Sequence, residues 1–136
     1  MTQVLGYYDI ERAIISMENI LNSIKAALGI TEDYTHFDQQ ILMHINSVFM
    51  ILNQLGVGPV KGFVADQDSE WSSFFKDRDL QQELVKSYMY LKVRLLFDPP
   101  TNSFVVDSMQ RQVNEYEWRL NVLVDPKVEE KVNHGS

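Results

Sequence analysis

The 136 residues suffice for one domain with a real core and leave no room for a catalytic domain beside a separate cofactor module. Hydrophobic residues make up 45% and charged residues 23%, ordinary globular usage that excludes disorder of the whole chain. A net charge of −7 with only 12 Lys and Arg argues against nucleic-acid binding as the main task, because a grip on phosphates needs clustered cations.

The chain has no cysteine, which excludes disulfides and thiolate metal sites and fits a cytosolic origin. No apolar run reaches the roughly 18 residues of a membrane span. Met1 to Gly6 offers no basic residue ahead of an apolar core, so a secretory signal is not expected there.

Helical periodicity dominates. Ile10, Ile14, Met17, Leu21, Ile24 and Leu28 alternate spacings of four and three, one stripe on a first helix that Asp9 caps and Gly29 ends. That stripe suits core packing within the domain, and its spacing also suits a partner helix of a neighbouring chain. Thr35 and Asp38 have capping-box spacing. Ile41, Leu42, Ile45, Val48, Phe49, Leu52 and Leu55 then make a wide apolar face that Gly56 closes. Val57 to Asp68, interrupted by Gly58, Pro59 and Gly62, reads as a long loop of the kind that is functional or mobile.

Ser69 can cap a short helix carrying Trp71, Phe74 and Phe75. Asp79, with Gln82 three residues on, caps the next, whose face is Leu80, Leu84, Tyr88, Leu91 and Leu95, flanked by Val85 and Leu96. Asp98-Pro99-Pro100 stops it, because a residue before proline leaves the helical region. The last helix opens near Asn102 or Ser103, carries Val105, Met109, Val113, Tyr116 and Leu120 on its stripe, and ends at Asp125-Pro126. The expected fold is all-α: a small bundle of about four longer helices, one short aromatic helix, and a long loop after the second helix. Residues 1–16 are an N-terminal extension read as part of the first helix, 17–124 the helical domain, and 125–136 a loose tail.

Chemical constellations are missing. His36 and His44 have no third ligand at metal spacing. Gly56, Gly58 and Gly62 follow a helix and are broken by Pro59, unlike a phosphate cradle. Paired carboxylates such as Glu115 and Glu117, or Asp66 and Asp68, fit a solvated face. No catalytic, cofactor-binding or metal-binding residue is expected, and the chain is read as a non-enzyme. Tyr88 and Tyr116 fall on core stripes. Trp118 falls off its stripe and is the aromatic candidate for a subunit contact, with core packing as the equal alternative.

Three segments, in this order and spacing, carry a resemblance. Asp33-Tyr34-Thr35-His36-Phe37-Asp38 runs on to His44-Ile45-Asn46-Ser47-Val48-Phe49 and Leu52-Asn53-Gln54-Leu55-Gly56-Val57-Gly58-Pro59. Tyr88-Met89-Tyr90-Leu91-Lys92-Val93-Arg94-Leu95-Leu96-Phe97-Asp98-Pro99-Pro100 is the second, and Glu117-Trp118-Arg119-Leu120-Asn121-Val122 the third. Together they resemble the head-tail connector, or head completion, proteins of siphophages and prophages of Gram-positive bacteria. The resemblance covers roughly Asn19 to Lys127; family members begin near the equivalent of Met17, so the preceding residues depart from the pattern.

The resemblance implies a structural subunit of the virion neck, made in the host cytoplasm. It implies a homo-oligomeric ring, twelvefold on the portal, that extends the DNA channel, takes part in DNA packaging and presents a docking surface to the next neck, stopper or tail-completion protein. DNA only passes through, and no membrane is involved. A head-to-tail ring needs two patches per subunit. The candidates are the Gly56–Asp68 loop, the helix of Trp71, Phe74 and Phe75, and the Trp118 side of the last helix with Val122 and Val124; the segment after Leu123 is a candidate arm to the portal. The alternatives are a tail-side stopper or completion protein, and a helical regulator of a single host protein.

Overall fold

A computed structural model describes residues 18–76 and 81–124. Within them lie five helices: α1 Ile20–Ala27, α2 Asp38–Gln54, α3 Trp71–Phe75, α4 Gln82–Phe97 and α5 Ser103–Val124. The architecture is the expected all-α bundle, with four longer helices and one short aromatic one. Ile10, Ile14, Met17, Asp79, Leu80, the extension 1–16 and the tail 125–136 lie outside the described residues.

The single stripe from Ile10 to Leu28 is not one uninterrupted helix. Asn19 is extended (φ −72°, ψ 126°) and caps α1, its Oδ1 accepting from the Asn22 amide at 2.9 Å. Its conformation is held from outside: Asn19 bridges Glu70, its Nδ2 donates to the Gln67 carbonyl, and the Ile20 amide donates to the Ser69 carbonyl, both at 3.0 Å. Periodicity is blind to such a break, because the apolar spacing continues across it. α1 ends as expected, with Gly29 at φ +82° and the Ile30 amide returning to the Lys25 carbonyl at 2.8 Å.

The Thr35–Asp38 capping box does not form. α2 begins at Asp38 without a side-chain cap, and the Asp38 carboxylate turns to Lys25 Nζ at 2.8 Å. A buried cation without a partner costs far more than an exposed first-turn amide without a cap. Downstream, the expected face of Ile41 to Leu52 is buried.

The Val57–Asp68 segment is a loop, tied closely to α2. Asn46 pins both backbone groups of Ala65, accepting from its amide at 2.7 Å and donating to its carbonyl at 3.0 Å. Asn53 Nδ2 donates to the carbonyls of Pro59 and Val60. Val57 and Ala65 are buried. Ser69 does not cap α3; its hydroxyl closes a turn with Asp66, donating to Oδ1 and accepting the Asp66 amide. The Asp68 amide, and then that hydroxyl, hold the Asp66 carboxyl below the usual carboxylate range.

α3 brings Trp71, Phe74 and Phe75 into the core against Phe49 and Phe63. Ring centroids lie 4.8 Å apart for Phe49–Phe74 and 5.0 Å for Phe49–Phe63, and Trp71 stacks on Phe75 at 5.7 Å. The Trp71 indole donates to Ser23 Oγ at 2.9 Å, which satisfies its one polar atom.

α4 packs against both α2 and α5, and also against α1. That central position corrects its expected face. Val85, Tyr88, Met89 and Val93 are buried, whereas Leu84, Leu91 and Leu95 are only partly covered and Leu96 is exposed. A single amphipathic stripe cannot describe a helix with neighbours on two sides. α4 ends before Asp98-Pro99-Pro100 as expected. Asn102 then caps α5 through the Phe104 amide at 2.8 Å. Of the α5 stripe, Val113 and Leu120 are buried, Met109 and Tyr116 partly covered, and Val105 exposed. No α5 residue before Val113 is buried, so its N-terminal half stands clear of the core.

Candidate interaction surfaces

The buried side chains of Tyr88 and Lys25 have partners within the fold, whereas His44 Nε2 is buried without a hydrogen-bond partner among the described residues. Tyr88, buried in α4, donates to Glu117 Oε2 on α5 at 2.7 Å. Burial, then the bond to Glu117 and its negative charge, push the phenol well above its ordinary value. Lys25 is fully buried, bonded to the Glu32 carbonyl at 3.1 Å as well as to Asp38. His36 lies edge-on to Phe37 at 4.8 Å, and His44 faces the ring of Phe97 at 6.4 Å. Among the described residues no three His, Asp or Glu converge to hold a metal ion, and no described helix is long and apolar enough to cross a membrane.

The six sequence-derived interface candidates separate. Trp71, Phe74 and Phe75 are core residues, so their expected place on the surface is corrected: the short helix interlocks its rings, Trp71 and Phe74 edge-on to one another and both against Phe49 of α2, and all three are buried. Trp118 is 67% exposed. Val122 and Val124 are half-buried, and Val124 packs over Gly56, where a Cβ would come within 3.2 Å of its methyl group.

Two outward apolar faces emerge, to which the sequence reading contributed the Gly56–Asp68 loop and the Trp118 side of the last helix but not Met43, Met50 or Phe104. On α2, Met43 and Met50 are exposed; at seven residues apart they share the stripe opposite Ile41, Ile45 and Leu52. With Lys61, Phe63 and Val64 of the following loop they border a groove of about 520 Å³. On α5, Phe104 (83% exposed) and Trp118 lie within roughly 40° of one another around the helix, and Phe104 lies roughly 180° from buried Val113. The signal was present: each of these residues sits off the stripe that the periodicity assigns to the core. Large apolar side chains thus project outward on two faces of the bundle.

Comparison with known proteins agrees in kind. A family model described as phage connector protein matches residues 20–127. No curated protein and no solved structure matches the chain.

Proposed function

The chain belongs to the phage connector protein family, and on that premise we propose that it is a non-catalytic ring subunit of the virion neck. It assembles under the portal, extends the DNA channel and offers the next neck or tail-completion protein a docking surface. The family match across residues 20–127 carries this reading, because it spans the whole described bundle. The outward apolar residues of α2 and α5 support it, since a subunit with neighbours needs contact area outside its own core. The net charge of −7 suits a channel wall along which DNA slides without being gripped.

Two measurements test the proposal. Pull-down with the portal protein encoded beside this chain is expected to retain it. A reconstruction of the neck is expected to place a ring of the chain directly beneath the portal. A ring found on the tail side, apart from the portal, would instead assign it to tail completion, and retention by a host protein alone would make it a regulator.

A further inference from the structure

The outer face of α5 carries four charges beside its exposed rings. Asp107, Arg111, Glu115 and Arg119 are all exposed and follow one another at a spacing of four. Like Phe104 and Trp118, they lie within roughly 60° of the direction opposite buried Val113. Two are negative and two positive, so this face is neutral on a chain whose net charge is −7. Arg119 donates to Glu115 Oε1 at 2.9 Å, which uses one of the two carboxylate oxygens. Arg111 and Asp107 make no ion pair among the described residues.

We propose that two copies of the free subunit pair through this face, antiparallel, about a two-fold axis that passes between Arg111 and Glu115. A face that meets its own copy closes a dimer only around a two-fold axis. Parallel helices about such an axis set every residue against itself, Arg111 on Arg111 and Glu115 on Glu115. Antiparallel helices centred at the height of Val113 instead set Arg111 on the partner's Glu115, and do so twice, because the two residues are equidistant from that height. Sliding the helices by one turn brings Arg111 level with the partner's Arg111, or Glu115 level with the partner's Glu115, so the charges select the register as well as the direction.

The apolar residues agree with that register. Phe104 comes level with the partner's Val122. Trp118 falls between the partner's Phe104 and the partner's Arg111, within about one turn of each, where an indole can stack on a guanidinium. The half of α5 before Val113, which has no buried residue of its own, then lies along the partner's half after Val113, which buried Leu120 ties to its own core. The pair belongs to the unassembled chain and does not depend on the ring reading. A ring, whose contacts are head to tail, requires it to open.

Sedimentation equilibrium of the chain alone, at concentrations up to about 1 mM, tests the pair. The parent is expected to reach a dimer and no larger species. Arg111→Glu and Glu115→Arg, each of which sets like charges across the axis at two places, should weaken the dimer at least about tenfold without altering the circular dichroism spectrum. Mixed in equal amounts, the two variants should associate again, because each then meets the opposite charge on its partner. Both substitutions in one chain should restore the dimer for the same reason. A parent that stays monomeric or forms larger oligomers instead, single variants that dimerise as well as the parent, or a mixture no better associated than either variant alone would overturn the pairing.

Discussion

Lys25 has no exposed surface, and its ammonium is held by the Asp38 carboxylate and the Glu32 carbonyl. Replacing a buried pair with apolar groups is often tolerated, whereas removing one partner strands a charge. Lys25→Ala is therefore expected to lower unfolding free energy by about 3 kcal/mol, measured by urea titration. Lys25→Met together with Asp38→Leu should recover most of that loss; a double variant as unstable as the single one would refute the account. Tyr88 poses a second test. Its folded pKa is raised from the ordinary value of 10.0, so above that pH the unfolded chain releases a proton that the folded chain retains. The stabilisation is fully present below pH 10.0 and is lost as pH rises beyond it. Tyr88→Phe should cost about 1–2 kcal/mol near neutrality, for the lost bond to a charged acceptor, and should flatten the alkaline decline seen in the parent.

At the scale of elements, the turns decide how helices meet. Gly58 has φ +93°, and a Cβ there would press into the ring of Phe74. Gly58→Ala combines backbone strain with overpacking and is expected to cost about 2–3 kcal/mol. Gly29 has φ +82° with open space around it, so Gly29→Ala should cost only about 1–2 kcal/mol. Equal losses in denaturation experiments would show that the Phe74 contact contributes nothing. α5 makes a different prediction. Its residues before Val113 have no buried member, so in the isolated subunit the amides between Phe104 and Gln112 should exchange faster than those from Val113 to Leu120. Uniform protection along the helix, measured by hydrogen exchange, would contradict this.

For the whole molecule, two tryptophans divide the work of one bundle. Trp71 is buried among Phe49, Phe74 and Phe75, and Trp71→Ala should destabilise the fold by about 3–5 kcal/mol. Trp118 is exposed, and Trp118→Ala should stay within about 0.5 kcal/mol of the parent. Thermal unfolding of the two variants checks the contrast; comparable losses would place Trp118 in the core.

The sequence by itself determined the helical class, the α2 face from Ile41 to Leu52, the glycine-closed ends of α1 and α2, the proline stop after α4 and the Asn102 start of α5. Each depends on local spacing or backbone stereochemistry, which neighbouring residues decide alone. Three segments of residues also carried the family resemblance, although Asn46 and Asn53 stood within them without a role. Only the tertiary structure decided what distant partners impose: the break at Asn19, the turning of Asp38 to Lys25, the pinning of the loop by Asn46, and the two-sided burial of α4. The candidate surfaces divide likewise. That Trp118 lies off the core stripe was legible in the sequence. The same was legible for Met43, Met50 and Phe104, whereas the inward turn of Trp71, Phe74 and Phe75 depended on how the short α3 meets Phe49 of α2, a long-range fact that helical periodicity does not encode.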